Sequence, residues 1–130
     1  MVNISQAAEV AALPVKTLRY YEDIGLVVPG RKENGYRDYA KEDLTRLRLI
    51  GRARKLGFSI EDCRNLLALQ ADRQRASADV KRIAQAHLQE IDEKIAELQS
   101  LRSDLAPLVA ACKGDEGAEC AILNDLVEPH

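Results

Sequence analysis

The chain has 130 residues and a net charge of −2, with no Trp, one Phe and four Tyr. This length excludes large independent domains, and the scarcity of aromatic residues means that any core must be built mainly from aliphatic side chains. Residues 1–58 carry 11 Lys and Arg against 7 Asp and Glu, whereas residues 59–130 carry 8 against 14. The basic first part therefore predicts an anionic partner.

The chain has no apolar run of 18 residues and no basic segment followed by an apolar leader. We therefore expect a soluble, cytoplasmic protein that has no membrane partner. The three cysteines are expected to be reduced in such a compartment, where a close cysteine pair is more often metal-binding or catalytic than a structural disulfide.

Two short helices joined by a tight turn are predicted at the start of the chain. Asn3 or Ser5 can cap the first helix. The second helix is predicted from Pro14 to Ile24, because Pro suits the start of a helix and Gly25 stands where a helix-ending glycine is expected. This arrangement predicts a helix-turn-helix.

The second helix has a compact inner side and a donor-rich outer side. The inner side carries Leu18, Tyr21 and Glu22, and the outer side carries Lys16, Thr17, Arg19 and Tyr20. Such outer side chains suit DNA phosphates and base edges, so we predict that this is a recognition helix. An ordinary solvated helix is the alternative interpretation.

A basic hairpin is predicted directly after this helix. An extended segment, residues 26–29, ends in Pro, and Asn34-Gly35 is a strong short-range hairpin signal. The flanking side chains are Arg31, Lys32, Tyr36 and Arg37. A hairpin of this composition after a helix-turn-helix is typical of a wing, because its guanidinium groups can grip phosphates while Tyr36 packs along the DNA backbone.

Two further helices are predicted before a polar connector at residues 71–76. The third helix, from about Lys41 to Leu56, has an apolar side of Leu44, Leu47, Ile50 and Ala53 and a basic side of Arg46, Arg48, Arg52, Arg54 and Lys55. Ser59 begins a fourth helix, whose apolar residues are Ile60, Cys63, Leu66, Leu67 and Leu69. Because Cys63 lies on that apolar face, we predict that it is a core residue.

A long helix is predicted from Ser77 to about Ala110, a span of roughly 50 Å. Its heptad positions carry Ala84, Ile91, Leu98 and Leu105 at a, and Val80, His87, Leu101 and Leu108 at d, with Lys94 interrupting the d series. The other faces are polar, so one apolar seam must pack against a partner. We expect a second copy of the chain, and an intramolecular bundle is the alternative.

The long helix is followed by a loop that carries Cys112 and Cys120. Soft thiolates favour Cu(I), Ag(I), Au(I), Zn(II) or Hg(II), and two ligands alone are too few for a tetrahedral zinc site. A short helix after Cys120 can direct its N-terminal amides at the sulfur atoms. A redox switch that closes a disulfide is the alternative, which we expect to be disfavoured because nothing obvious lowers a thiol pKa.

No pattern in the sequence predicts an enzyme. His87 lies on the seam, His130 is the last residue, and no acid, base and nucleophile combination is apparent. We therefore predict that the protein is not an enzyme.

Several motifs, in this order and spacing, resemble the MerR family of transcription regulators. They are Thr17-Leu-Arg-Tyr-Tyr-Glu22, Gly25-Leu26, Asn34-Gly-Tyr-Arg37, Tyr39 and Leu56-Gly-Phe-Ser59. The segment from Ser77 to Lys81, the long helix and the cysteine loop further resemble the copper-efflux branch of that family.

The resemblance implies a mainly α fold in three parts. These are a winged helix-turn-helix DNA-binding domain at 1–70, a connector and dimerisation helix at 71–111 that forms an antiparallel coiled coil, and a metal-binding loop with a short helix at 112–130. It also implies a homodimer on double-stranded promoter DNA whose polymerase-contact hexamers are spaced too far apart. Such a dimer represses without metal and, with metal, distorts the spacer so that RNA polymerase engages.

The resemblance also implies residue roles. DNA-contact roles fall on Lys16, Arg19, Tyr20, Arg31, Tyr36, Arg37 and Arg54, and we add Thr17 from the same side of the recognition helix. Cys112 and Cys120 are the expected metal ligands, with Lys81 of the partner subunit close to them. Family members that sense divalent ions have cysteine at the position of Ser77, so Ser favours Cu(I), with Ag(I) or Au(I) as mimics. A divalent-metal sensor of the same fold and a thiol redox sensor are the alternatives, and Pro107 departs from the family pattern.

Overall fold

A computed structural model describes residues 1–129, so the prediction for His130 lies outside the described residues. The described chain is mainly helical, as predicted, with one two-stranded antiparallel hairpin. Its elements are α1 (Ile4–Ala11), α2 (Val15–Asp23), β1 (Gly30–Arg31), β2 (Arg37–Asp38), α3 (Lys41–Lys55), α4 (Ile60–Ala71), α5 (Ser77–Ala111) and α6 (Ala121–Val127). The contacts divide the chain within α5 into a first unit, Met1–Ile83, and a second unit from Ala84 onward.

Local capping signals begin and end the first two helices. The Asn3 side chain accepts a hydrogen bond from the Gln6 amide at 2.9 Å, and the Gln6 side chain accepts one from the Asn3 amide at 3.0 Å. At the end of α2, the Leu26 amide donates to the Tyr21 carbonyl at 2.8 Å. Gly25 lies between them at φ +70°, which a glycine adopts without strain. α2 therefore begins and ends one residue inside the predicted range, with Pro14 and Ile24 as its flanking caps.

The hairpin pairs Gly30 with Asp38 and Arg31 with Arg37. Gly35 takes φ +84°, a conformation that glycine adopts readily, and the Asn34 side chain accepts a hydrogen bond from the Tyr36 amide at 3.1 Å. Both residues therefore stabilise the turn. The extended segment before the hairpin forms no strand. It instead contributes Leu26 and Val27 to the core.

The core of the first unit lies between α1, α2, α3 and α4. Its most completely buried large side chains are Tyr39, Leu18, Leu47, Ile50, Val27 and Cys63. Tyr39 also pairs with Val2 through two backbone hydrogen bonds of 2.8 and 3.1 Å, which anchor the start of the chain beside the hairpin. Cys63 is fully buried, as predicted, and burial raises the pKa of its thiol.

The two later helices of the first unit begin at side-chain caps. The Asp43 carboxylate accepts a hydrogen bond from the Ala40 amide at 2.9 Å before α3, and the Ser59 hydroxyl accepts one from the Asp62 amide at 3.0 Å before α4. Gly57, at φ +87°, turns the chain between the two helices.

α5 has 35 residues, which corresponds to a length of about 52 Å. None of its residues is buried, and the seam residues Leu98, Leu101 and Leu105 are roughly half exposed. The helix continues beyond Pro107 to Ala111. Among residues 1–129, no helix combines the length and apolar character needed to span a membrane.

Candidate DNA interface and metal site

α2 presents the sides that the sequence predicts. Leu18 and Tyr21 are 1% and 4% exposed, so they anchor the helix in the core. Lys16, Arg19 and Tyr20 are exposed on the opposite side, and Thr17 is half-buried beside them. The outward side can therefore offer ammonium, guanidinium and phenol groups to a polyanion.

A groove lies between the start of α1, α2 and the hairpin, with a volume of about 470 Å³. Its lining consists of Asn3, Ile4, Arg19, Lys32, Asn34, Tyr36 and Arg37. Three of these lining residues are cationic and none carries a carboxylate. Tyr36 is 70% exposed. The fold thus brings predicted DNA-contact residues of the helix and the hairpin to one positively charged surface.

Glu22 joins the recognition helix to the hairpin. One of its carboxylate oxygens lies 2.8 Å from Nη2 of Arg31, and the other lies 2.7 Å from Nε of Arg37. The hydrogen bond that Arg37 donates to Glu22 is the main reason that the pKa of Arg37 is raised. The helical spacing predicts Glu22 on the inner side of the helix, but it carries no signal for this bridge.

Two further arginines bind backbone carbonyl groups at helix ends. Arg54, a predicted DNA contact, is exposed and donates from Nη1 to the Phe58 carbonyl at 2.7 Å, just beyond the end of α3. Arg64, for which the sequence pattern predicts no role, donates from Nη2 to the Ile24 carbonyl at 3.1 Å. Arg64 therefore ties α4 to the C-terminal end of α2.

The two loop cysteines lie together in the second unit. Cys112 directly follows α5 and Cys120 directly precedes α6, and their sulfur atoms are 3.8 Å apart. Two thiolates that each lie about 2.3 Å from one ion are at most about 4.6 Å apart, so the pair fits one shared soft metal ion. Asp115 instead accepts a hydrogen bond from the Gly117 amide at 2.9 Å within the loop.

The start of α6 favours the thiolate of Cys120. The Leu123 amide has the largest effect in lowering the pKa of this thiol, partial burial acts against it, and Cys112 and the Ile122 amide lower the pKa further. The predicted direction of the α6 amides toward sulfur stays a prediction, because the Cys120 side chain forms no capping hydrogen bond at the start of α6. The expectation that nothing lowers a thiol pKa is wrong for this residue, because the sequence does not reveal the distance from the sulfur to these amides.

The predicted selectivity residues lie at the other end of α5. Ser77 is its first residue and Lys81 lies one turn later, and both are exposed. Within residues 1–129, no group of three or more His, Cys, Asp or Glu side chains is arranged to hold a metal ion. The described chain thus brings two soft ligands together but not a third.

Two family models match the chain. The model described as MerR HTH family regulatory protein matches residues 2–70, and the model described as MerR, DNA binding matches residues 44–108. Each covers about half of the chain, and together they include α1 to α4 and most of α5.

Similar proteins match over nearly the whole chain. The HTH-type transcriptional regulator HmrR of Rhizobium leguminosarum bv. viciae is 57% identical over 96% of this chain and 97% of its own length. The HTH-type transcriptional regulator CueR of Escherichia coli O6:H1 is 45% identical over 96% of this chain and 93% of its own. The crystal structure of the transcription regulator PbrR691 from Ralstonia metallidurans CH34 in complex with lead(II) is similar, with a TM-score of 0.84, 32% identity and coverage of 97% and 99%.

Proposed function

Because the chain belongs to the MerR family of transcription regulators, in the branch of HmrR and CueR, we propose that it activates copper-efflux or resistance genes in response to Cu(I). It is a DNA-binding regulator and not an enzyme. The observation that carries the copper proposal is the pair of thiols 3.8 Å apart at the junction of α5 and α6. Ag(I) and Au(I), which share the preference for thiolates, are the proposed alternative ions.

The proposed DNA interface uses the donor-rich side of α2 together with the hairpin. Lys16, Thr17, Arg19 and Tyr20 face the groove of the DNA and its adjacent phosphates, and Arg31, Tyr36, Arg37 and Arg54 contact the backbone. The cationic groove next to Arg19 and Arg37 supports this assignment, because phosphate contacts require exposed cations on one surface.

The proposed active species is a homodimer assembled through α5. Leu98 and Leu101 are 56% and 57% exposed in the single chain, and no residue of α5 is buried. An antiparallel pairing of two α5 helices would bury this seam and bring Ser77 and Lys81 of one copy toward the cysteine loop of the other. In this arrangement the parts of the chain are the DNA-binding domain at 1–70, the dimerisation segment at 71–111 and the metal loop at 112–130.

Cys112 and Cys120 would hold the ion as thiolates. When bound, the ion supplies a link between the end of α5 and the start of α6. Two thiolates around a monovalent ion leave a net charge of −1, which the Leu123 and Ile122 amides and a nearby Lys81 would offset. This charge balance favours Cu(I) over a divalent ion.

The proposed response follows from a difference in metal affinity between two states of the DNA-bound dimer. Metal-bound protein favours the state that bends and untwists a promoter with an overlong spacer, so that RNA polymerase in the cytoplasm can contact both hexamers. The metal shifts that equilibrium only by its preference for one state.

Two alternatives have specific support. The PbrR691 structure contains lead(II), which supports a divalent-metal sensor of the same fold. The lowered pKa of Cys120 supports a thiol redox sensor. In that case Cys112 and Cys120 would lose two protons and two electrons to a peroxide, form a disulfide and leave water as the reduced product.

The test is run-off transcription with purified RNA polymerase, from a promoter that the protein occupies and whose spacer is overlong. Cu(I), Zn(II) and hydrogen peroxide are added separately to wild type, Cys112→Ser, Cys120→Ser and the control Cys63→Ala. We expect Cu(I) to activate wild type and the control, and neither serine variant, while all four retain DNA binding and repression.

Each alternative gives a different result in the same assay. Activation by Zn(II) alone supports the divalent sensor, and activation by peroxide alone supports the redox sensor. A Cys112→Ser protein that still activates with Cu(I) would falsify the metal-loop mechanism. Loss of DNA binding in the serine variants, with binding intact in Cys63→Ala, would mean that the loop cysteines are structural.

A further inference from the structure

A single carboxylate, that of Glu22, holds both strands of the hairpin against the recognition helix. Its two oxygens bind Arg31 of β1 at 2.8 Å and Arg37 of β2 at 2.7 Å. The Glu22 side chain is only 18% exposed, so its position is fixed more firmly than that of a surface carboxylate. The position of the hairpin relative to α2 therefore depends on these contacts.

The two arginines would repel each other without this carboxylate. Arg31 and Arg37 are directly paired across the hairpin, and like charges at paired positions destabilise a hairpin. Glu22 offsets one of the two charges, and a net charge of +1 remains at the junction.

Both guanidinium groups retain donors for another anion. Arg37 contacts Glu22 through Nε, and Arg31 contacts it through Nη2. Since a guanidinium group has five N–H donors, each arginine can bind Glu22 and a phosphate at the same time. Arg37 also lines the cationic groove, whereas Glu22 is not among its lining residues.

We propose that Glu22 is a positioning residue that determines DNA specificity, because it delivers Arg31 and Arg37 to the DNA backbone at a fixed distance from the base-reading side of α2. This inference rests on the DNA interface proposed above. Phosphate contacts set the register of a protein on its duplex, and register decides which bases a recognition helix meets. An arginine released from Glu22 still binds phosphate but no longer enforces that register.

The inference predicts opposite effects on two affinities. Glu22→Gln removes a negative charge, so binding to random-sequence duplex should stay equal or become slightly tighter. Binding to a preferred duplex should weaken by about tenfold, because the wing no longer supports the register of α2. The ratio of the two affinities is thus the quantity that changes.

Asp23→Asn provides a charge-matched control. Asp23 is the next residue of α2 and is exposed. Replacing it with Asn removes one negative charge, as Glu22→Gln does. This variant should raise both affinities equally and leave their ratio unchanged. Glu22→Asp keeps the charge but shortens its reach, so it should lower the ratio as Glu22→Gln does.

The experiment uses the full chain and two duplexes, one selected from a random pool on the wild-type protein and one random-sequence duplex of equal length. The dissociation constants are measured by fluorescence anisotropy at one fixed salt concentration, and thermal unfolding identifies any variant that fails to fold. Introducing Glu22→Gln into an Arg31→Ala/Arg37→Ala background should cause no further loss of the ratio, because the arginines through which Glu22 acts are absent.

Four results would overturn the inference. An unchanged ratio in both Glu22 variants, an equal change in Asp23→Asn, or a full further loss in the double-alanine background would each overturn it while leaving the DNA interface intact. A wild-type protein with no preference for its selected duplex would overturn both the proposed interface and the role of Glu22.

Discussion

Arg37 combines a structural bond and a free cationic surface in one side chain. Its Nε donates to Glu22, and Arg37 also lines the groove between α2 and the hairpin. Arg19 and Tyr20 lie on the exposed side of α2. We therefore propose that Arg37 contacts the DNA backbone, whereas Arg19 and Tyr20 read the bases.

We predict different effects when these residues are changed. Arg37→Ala should weaken binding to every duplex and lower the slope of log affinity against log salt by about 0.9, because about one phosphate contact is lost. Arg19→Ala or Tyr20→Ala should instead also change the preferred sequence. Binding curves at several salt concentrations test the first effect, and repeated selection from a random pool tests the second.

Arg102→Ala is the control for this prediction, because Arg102 is exposed on α5 and lies outside the proposed DNA surface. It should change neither the slope nor the sequence preference. Unchanged DNA binding in both Arg37→Ala and Arg19→Ala would show that the assigned surface is wrong.

The ion pairs of Glu22 with the hairpin could not be predicted from the sequence pattern. The helical spacing of Glu22 places it beside Leu18 and Tyr21, and this indicates an inner position. Its partners lie 9 and 15 residues later, on a hairpin whose packing against α2 is not encoded by any local periodicity. The cysteine pair, by contrast, could be predicted, because seven intervening loop residues, two of them glycines, allow the two thiols to converge.

At the scale of elements, helix ends were predictable because their signals are short. Asn3, Gly25 and Ser59 each act on amides or carbonyl groups within a few residues. The pairing of Val2 with Tyr39 was not predictable, because a single bridge between distant segments leaves no periodic pattern. The seam of α5 was predicted from its heptads, but a single chain cannot identify what covers it.

We predict that Leu98→Lys disrupts the proposed dimer. Leu98 is central in the seam, and a lysine there would be buried without a partner on assembly, at a cost of about 3 kcal/mol or more. Sedimentation velocity should show monomer at concentrations where the wild type is a dimer. The affinity of this variant for a duplex with two half-sites should also fall, because a monomer holds only one half-site.

Gln99→Lys is the matched control for this substitution. It adds the same charge to the next residue of α5, which lies outside the heptad seam, and should leave the dimer intact. If Leu98→Lys also sediments like the wild type, the proposed heptad register is incorrect.

At the scale of the whole molecule, the ends of α5 carry different parts of the proposed sensor. Ser77 and Lys81 lie at its start, and the cysteine loop follows its end. Antiparallel pairing of two copies is the arrangement that we propose to unite them. Metal selectivity would then belong to the assembly and not to one chain.

We predict that Ser77→Cys broadens the response toward divalent ions. A third thiolate contributed by the other copy would suit a charge of +2, so Zn(II) or Hg(II) should activate this variant more strongly than wild type, although Lys81 keeps the gain small. Run-off transcription across a metal series measures the change.

Ala78→Cys is the control, because it places an exposed thiol one residue further along the same helix and on a different side. Its metal response should match that of wild type. Equal responses from both cysteine variants would mean that Ser77 is not near the metal loop in the dimer.

The absence of any buried residue in α5 and α6 has a consequence for protein abundance. A helix whose apolar side is open to water gains little from packing, so its persistence would depend on the proposed pairing with a second copy. Mass action would then link the folded lifetime of the second unit to the number of molecules in the cell. Newly made chains below the dimerisation threshold would expose a long apolar stripe to proteases, and the regulator would thereby set a lower limit on its own useful concentration.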